Sequence, residues 1–297
     1  MRRWFHYCGV VIGVAFMVIG CGSQNEYLSK GKELIKSDKR RKEERAVEQF
    51  KLAVKQEPEN AEAHYLLGYY DSETFYAEDD PQRTTASVEE RGKHMFLAYQ
   101  REKKKYLEII VFETLRDRSQ EVQGAALNAL ERIYKQDDRQ RLLAALEKAI
   151  KSKDNRDRHD AHWVFAALGQ HDADTIVPLL VDLLDHKRKE TRLNVVKALG
   201  EIGDERAIPV LVERINSGSA RRKKDREDAE VRALAVEALG KIGGAAVGEL
   251  VKIVENKGSS LRVNAINALE KLGDERAVTP LLEVLSEQGS REVTVQF

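Results

Sequence analysis

Cysteine is nearly absent from this sequence, which holds only Cys8 and Cys21, both close to the N-terminus. The body of the chain therefore has no disulfide framework, no cysteine-rich zinc site and no catalytic cysteine. Proline and aromatic residues are also scarce, with five prolines in 297 residues and 6% aromatics. A large β-sandwich needs more of both, so the composition predicts an all-α protein.

Charge of one sign is not in excess, since 50 basic residues balance 50 acidic ones. A protein that binds nucleic acid would show a basic surplus, and we therefore predict no nucleic-acid partner. Charged residues of both signs make up 34% of the chain, and hydrophobic residues make up 42%. These fractions predict a folded chain with a large solvated surface.

The N-terminal segment has the features of an export signal. Two arginines precede an uncharged, largely apolar run at residues 8–20, which is too short to span a membrane comfortably. Val18, Gly20 and Cys21 end the run, and polar residues follow at once. An ordinary cleaved signal, or an uncleaved anchor that happens to end in cysteine, also fits this pattern.

The same segment resembles the lipobox of bacterial lipoproteins, with Val18, Gly20 and Cys21 in register. The resemblance implies that residues 1–20 are a signal peptide and that Cys21 is lipidated, which would anchor the protein to a membrane. In such lipoproteins an aspartate after the cysteine commonly causes retention in the inner membrane, and Gly22 stands there instead. We therefore expect a lipid-anchored protein of the cell envelope, with the outer membrane favoured, facing the periplasm or the cell exterior.

Residues 21–105 are predicted to form a first helical region. Ala46, Phe50 and Ala53 share one helical face, and Pro58 follows where that helix has ended. These positions resemble the second helix and closing turn of a tetratricopeptide repeat. A generic helical hairpin fits them as well.

The helical pattern is interrupted at residues 72–86, where we expect an irregular insertion around Pro81. A helical pattern returns at residues 87–105. Its charged end, residues 101–105, is expected to be an exposed helix end or a linker between two helical arrays.

The rest of the chain repeats itself with a period of roughly 30 residues and two insertions. An Ala-Leu pair recurs five times, at residues 129–130, 167–168, 198–199, 238–239 and 268–269. Each copy has the pattern of two antiparallel helices, and the first helix ends at a glycine that is expected to take a positive φ: Gly203, Gly243 and Gly273. A proline is expected in the first turn of the second helix: Pro178, Pro209 and Pro280. Leucines occupy its matched core positions: Leu180, Leu211, Leu250 and Leu281.

This pattern resembles the short HEAT-like repeats of the phycobilisome-lyase type, and we assign it to a repeat domain at residues 106–289. A single hairpin cannot bury its apolar side, so the resemblance implies hairpins that stack into a right-handed superhelical α-solenoid. The predicted fold class is therefore all-α. The tail at residues 290–297 reads either as a truncated repeat or as a frayed cap.

The sequence shows no assembled catalytic motif, and we predict no catalytic residue, no cofactor and no metal site. The one cluster that could share a metal consists of His159, Asp160, His162 and His171. It is placed in a highly charged loop at residues 154–160, where histidines are usually solvated. No histidine precedes a glutamate, so the di-iron site of deoxyhypusine hydroxylase, which has this repeat, is not implied.

Charged surfaces remain as candidate binding sites. The insertion at residues 220–228 has four consecutive cations, which would contact anionic lipid or an acidic partner, or else form a solvated loop neutralised by the acids that follow. A second set stands two residues after each matched core leucine: Asp182, Glu213, Lys252 and Glu283. We interpret this column as the concave surface that binds a basic or mixed-charge protein segment. The alternative is that these residues are only the polar half of amphipathic helices.

Taken together, these features predict a membrane-anchored, non-enzymatic scaffold or adaptor that binds other proteins in the bacterial cell envelope. One alternative is an enzyme or enzyme subunit, lyase-like or metal-dependent, built on a HEAT-repeat scaffold. Another is a structural role in envelope architecture without a discrete partner.

Overall fold

A computed structural model of the chain describes residues 25–36, 40–70, 81–112, 114–117, 119–136, 138–217 and 228–293. Every regular element in these ranges is a helix, and successive helices pair into hairpins that stack on one another. The prediction of an all-α solenoid is confirmed. The chain divides into two compact units, residues 1–147 and 148–297.

In the described part of the first unit, six α-helices come before the unit boundary: α1 (Glu26–Ile35), α2 (Arg40–Gln56), α3 (Ala61–Tyr70), α4 (Pro81–Arg101), α5 (Lys103–Phe112) and α6 (Gln120–Lys135). A 3₁₀ turn at Thr114–Arg116 joins α5 to α6. Helix α7 (Arg139–Ile150) includes the boundary between the two units.

The hairpin of α1 and α2 packs as its apolar spacing predicts. Ala46, Phe50 and Ala53 are fully buried on one side of α2. A side chain at Gly31 of α1 would place its Cβ 2.4 Å from the ring of Phe50, so only glycine lets the ring lie this close to α1. Pro58 lies in the turn between α2 and α3, as predicted. The assignment of this hairpin to the tetratricopeptide family stays a prediction.

The boundaries around α4 correct one expectation and confirm another. The insertion predicted at residues 72–86 is too long, because α4 already begins at Pro81. Proline is favourable at the first position of a helix, since the N–H that it lacks would have no partner inside the helix. Helix α4 ends at Arg101 and α5 begins at Lys103, so residues 101–105 contain an exposed helix end, as expected.

The described part of the second unit contains four hairpins built from eight helices: α8 (Asn155–Gly169), α9 (Ala173–Leu183), α10 (Lys189–Ile202), α11 (Ile208–Asn216), α12 (Ala229–Ile242), α13 (Val247–Glu255), α14 (Arg262–Leu272) and α15 (Val278–Val293). A 3₁₀ turn leads into three of the second helices: Glu205–Ala207, Gly244–Ala246 and Glu275–Ala277. The second helices α9, α11 and α13 each pack against the first helix of the following hairpin.

The first helices of neighbouring hairpins approach closely because small residues line their contact. A Cβ on Gly200 of α10 would lie 2.9 Å from the Cα of Ala238 in α12. The leucines of the recurring Ala-Leu pairs are all buried in the cores of the units: Leu130, Leu168, Leu199, Leu239 and Leu269. The glycines that end these helices have positive φ, as predicted: 74° at Gly203, 95° at Gly243 and 62° at Gly273.

Two of the three predicted first-turn prolines are confirmed. Pro209 and Pro280 lie in the first turns of α11 and α15. The prediction for Pro178 is wrong, because this proline is the sixth residue of α9. The side chain of Asp172 caps α9 by accepting a hydrogen bond from the backbone N–H of Thr175 at 3.2 Å. This cap starts the helix early, without the 3₁₀ turn that precedes α11, α13 and α15.

The matched core leucines are buried except at the end of the array. Leu180, Leu211 and Leu250 are fully buried. Leu281 is only half-buried, so its assignment to the core is corrected. The three buried leucines each belong to a hairpin that is followed by another described hairpin, whereas Leu281 lies in the last one.

Candidate functional site

The predicted column of charges lies at the surface of the second unit. Its four members are exposed and belong to four successive second helices, α9, α11, α13 and α15: Asp182, Glu213, Lys252 and Glu283. The helical period explains the exposure. Two residues correspond to a rotation of about 200°, so each charge points away from the core leucine that precedes it.

The carboxylates of the column are exposed. Among the described residues, Asp182, Glu213 and Glu283 form neither an ion pair nor a side-chain hydrogen bond. Lys252 is different, because its Nζ lies 2.7 Å from the carboxylate of Glu249 one turn earlier. Within the part of the chain that the structure describes, the column therefore has three carboxylates without an ion-pair partner and one cation whose charge is partly neutralised.

A polar groove adjoins the column at Lys252. Its volume is about 400 Å³, and it lies between the end of α11, the start of α12, α13 and the loop before α14. Side chains that line it include Asn216, Arg232, Glu249, Lys252 and Asn256. Amide, carboxylate and ammonium groups in one groove suit a polar side chain of a partner better than an apolar one.

The segment that carries the histidine cluster is helical and partly buried, whereas the sequence predicted a solvated loop. Residues 154–160 are not a solvated loop, because α8 begins at Asn155 and Asp154 is its N-cap. Asp157 and Arg158 are buried in the first turns of α8. Asp157 accepts a hydrogen bond from Ser152 Oγ at 2.6 Å, and Arg158 donates to the backbone carbonyl of Ser152 at 2.8 Å. Asp157 and Arg158 thus join the first turns of α8 to the preceding loop through hydrogen bonds with Ser152.

Two of the clustered histidines are brought together. The ring centroids of His159 and His162 lie 4.8 Å apart. Burial, with the nearby His159 and Lys197, lowers the pKa of His162 to about 4. His171 lies beyond the end of α8 and is exposed. Within the described part of the chain, no three or more histidine, cysteine, aspartate or glutamate side chains are grouped so as to hold a metal ion.

A second histidine pair lies in the first unit and was missed by the sequence reasoning. The Nδ1 atoms of His64 and His94 are 2.8 Å apart, although the residues are thirty positions apart in the chain. Nε2 of His64 lies 2.9 Å from the carbonyl oxygen of Pro58, so it is the donor there. Nδ1 of His64 is then the acceptor for the N–H of His94. Burial and the neighbouring His64 lower the pKa of His94 to about 4.

Several predicted sites fall outside the described residues. Cys21 and the rest of the N-terminal segment belong to this group, and lipidation of Cys21 stays a prediction. Of the basic insertion at residues 220–228, only Asp228 is described, and it accepts a hydrogen bond from Arg192 at 2.9 Å. Among the helices that the structure describes, none is both long enough and apolar enough to cross a membrane.

Comparison with known proteins identifies the repeats of the second unit. Residues 153–226 and 223–295 each match the family model described as HEAT repeats. This part of the chain is therefore a HEAT-like repeat domain. A solved structure of a designed armadillo repeat protein in complex with the peptide (KR)4 is 19% identical, covers 65% of this chain and 95% of its own, and superposes with a TM-score of 0.27. No curated protein matches the sequence.

Proposed function

We propose that this protein is a membrane-anchored, non-enzymatic scaffold or adaptor that binds other proteins in the bacterial cell envelope. HEAT-like repeats generally provide extended surfaces for protein interaction rather than enclosed pockets. The observation that carries the proposal is the set of three exposed carboxylates in one repeat register, at Asp182, Glu213 and Glu283.

The expected partner is a protein segment that carries spaced positive charges. Packed helices lie about 8–10 Å apart, and an extended chain rises about 3.3 Å per residue. An extended segment with Lys or Arg at about every third residue would therefore place one cation at each repeat. Lys252 interrupts the acidic column, so an acidic or neutral residue is expected at the matching position of the partner.

The anchor supports a location at a membrane surface. The lipobox-like residues Val18, Gly20 and Cys21 are the basis for lipidation, and Gly22 favours the outer membrane where the cell has one. An anchored solenoid would hold its partner near the membrane and raise its effective concentration there. The lipid anchor would determine where the protein is located, and the charged column would determine what it binds. Each is therefore tested by its own variant.

The column is tested by charge reversal in intact cells. The variant Glu213→Lys with Glu283→Lys should lower the yield of crosslinked partner by about tenfold or more, because it replaces attraction by repulsion at two of four repeats. The matched control is Glu237→Lys with Glu270→Lys, which makes the same charge change at exposed positions on the first helices α12 and α14. Partners are identified by mass spectrometry after membrane purification. Equal yields from both double variants would contradict the assignment of the column.

The anchor is tested by fractionation. Cys21→Ser should move the protein out of the membrane fraction and abolish incorporation of labelled fatty acid. Cys8→Ser is the matched control, because it removes the other cysteine and leaves the lipobox intact. If the Cys21→Ser protein stays membrane-bound to the same extent as the control, the lipoprotein assignment is wrong.

A further inference from the structure

The polar groove beside Lys252 contains a guanidinium group that the protein uses only in part. Nε of Arg232 donates a hydrogen bond to the carbonyl oxygen of Ile215 at 3.1 Å, which holds the guanidinium at the wall of the groove. Among the described residues, the two Nη groups of Arg232 have neither a hydrogen-bond partner nor an ion-pair partner. Their N–H donors therefore remain for a ligand.

The preceding repeat shows what an arginine at this position binds. Arg192 is the counterpart of Arg232, because each is the fourth residue of its first helix. An Nη atom of Arg192 lies 2.9 Å from the carboxylate of Asp228, which stands four residues before Arg232. Four residues before the next such arginine, Arg262, stands Gly258, and it lines the groove. In the register of the repeats, the position that supplies a carboxylate to Arg192 thus supplies none to Arg232.

The loop before α14 adds further donors to the groove. The side-chain oxygen of Asn256 accepts a hydrogen bond from the backbone N–H of Gly258 at 3.2 Å, and the hydroxyl oxygen of Ser259 accepts one from that of Leu261 at 3.2 Å. These bonds use acceptor atoms, and they leave the amide N–H groups of Asn256 and the O–H group of Ser259 as donors. A site rich in donors is complementary to an ionised carboxylate, which only accepts hydrogen bonds.

The charge of the groove fits a single carboxylate. Of the described residues that line it, three are charged: Arg232, Lys252 and Glu249. The carboxylate of Glu249 lies 2.7 Å from Nζ of Lys252 and neutralises part of its charge. One net positive charge is left, which one carboxylate balances. A phosphate group with a charge of about −1.5 to −2 would leave an excess of negative charge.

We propose that this groove is a carboxylate-binding site, and that its occupant is an aspartate or glutamate side chain of the protein partner. The Nη groups of Arg232 bind the carboxylate, and Lys252 and Asn256 are its further donors. The site adjoins the one basic member of the column, where an acidic residue of the partner is the complement. The identification of the occupant as part of a protein rests on the proposed function, whereas the affinity of the groove for a carboxylate does not.

A small monocarboxylate tests the groove without the column. The purified full chain is titrated with N-acetylglutamic acid α-amide, and binding is followed by the NMR signal of the Arg232 Nε–H, which is assigned as the signal that Arg232→Lys removes. We expect a Kd of about 1–10 mM, as for a ligand of this size, and at least about tenfold weaker binding of N-acetylglutamine α-amide. Equal binding of the two compounds, or tighter binding of inorganic phosphate, overturns the proposal.

Substitutions with opposite effects test which residues form the site. Gly258→Asp supplies a carboxylate at the position of Asp228 in the preceding repeat, so it should occupy Arg232 and weaken binding of the glutamic acid derivative by about tenfold or more. Gly258→Asn is the matched neutral control. An added Cβ at Gly258 meets no atom closer than 3.6 Å, so both variants should fold. Glu249→Gln removes the competing carboxylate and should tighten binding by about threefold or more. The proposal is wrong if Gly258→Asp binds as its control does, or if Glu249→Gln binds no more tightly than the wild type.

Crosslinking in intact cells tests the identity of the occupant. Gly258→Asp should lower the yield of crosslinked partner by about threefold or more relative to Gly258→Asn, and equal yields would contradict the assignment of the occupant to the partner. This outcome is separable from the test of the column. If Glu213→Lys with Glu283→Lys keeps its partner while the glutamic acid derivative still binds at Arg232, the column is contradicted and the carboxylate site stands.

Discussion

The guanidinium of Arg262 donates a hydrogen bond from Nε to the backbone carbonyl oxygen of Val254 at 2.6 Å, and so joins the start of α14 to the end of α13. The same connection recurs in the preceding repeat, from Nε of Arg232 to the carbonyl oxygen of Ile215 at 3.1 Å, whereas Arg192 one repeat earlier donates to the carbonyl oxygen of His186 in the loop after α9 at 2.8 Å. The last carbonyls of a helix lack partners within the helix and carry partial negative charge. An arginine at the start of the next helix supplies both a donor and a positive charge.

Loss of one such arginine should destabilise the repeat array. We expect Arg232→Met to lower the free energy of unfolding by about 1–3 kcal/mol, because it leaves the carbonyl of Ile215 without its charged donor while keeping the apolar stem. Urea unfolding provides the measurement. Lys271→Met, at an exposed position of α14, is the control and should change the free energy by less than about 0.5 kcal/mol. Equal effects of the two variants would show that the arginine is dispensable.

Two helical glycines should respond in opposite ways to alanine. Gly200→Ala should lower the free energy of unfolding by about 1–3 kcal/mol, because the new Cβ meets the backbone of Ala238 at 2.9 Å. Gly248 of α13 has no atom within 4 Å of an added Cβ, so Gly248→Ala should be neutral or stabilising by up to about 1 kcal/mol. Paired thermal and urea unfolding curves check both values. A stabilising Gly200→Ala would mean that α10 and α12 do not pack this closely.

The glycines that end α10 and α12 should differ in their tolerance of asparagine. Gly203 has φ 74° and ψ 15°, a left-handed conformation that asparagine adopts at small cost. Gly243 has φ 95° and ψ −145°, close to a region that only glycine occupies readily. Neither site has an atom within 4 Å of an added Cβ, so the comparison isolates the backbone. We expect Gly243→Asn to cost about 1–3 kcal/mol in unfolding free energy and Gly203→Asn less than about 1 kcal/mol.

Acidification should destabilise the fold through its buried histidines. The folded-state pKa values of His94 and His162 are lowered to about 4, from about 6.5 in the unfolded chain. Between these values the unfolded chain binds more protons, so the free energy of unfolding falls as the pH is lowered from about 6.5 towards 4. Each histidine contributes up to roughly 3 kcal/mol to this decrease.

His162→Leu tests this pH dependence, and leucine is the residue that the next repeat has at the corresponding position. Leu193 stands at the corresponding position of the next first helix, six residues before the leucine of its Ala-Leu pair. Because leucine does not titrate, the free energy of unfolding of the variant should fall less than that of the wild type between pH 6.5 and about 4.5. Below about pH 4.5, carboxylates in the unfolded chain begin to protonate, so the comparison ends there. Chemical unfolding at several pH values gives the slopes. An unchanged slope would mean that the pKa of His162 is the same in the folded and the unfolded chain.

The positions and ends of the first helices could be predicted from the sequence alone. The recurring Ala-Leu pairs located the first helices, and glycines such as Gly203 and Gly273 located their ends, because positive φ is a property of the residue type. The prediction for Pro178 was wrong because a second local signal, the N-cap at Asp172, sets where α9 begins. The cap at Asp172 begins α9 at Ala173, which makes Pro178 the sixth residue of the helix.

The sequence by itself determined the helical class, the repeat period and the exposed positions of the second helices, because all of these follow from periodicities along one chain. Only the tertiary structure decided which residues meet across repeats. The contact between His64 and His94 and the close approach of Gly200 to Ala238 depend on how helices stack. Stacking brings together side chains that are thirty or more residues apart, and no local propensity encodes that proximity.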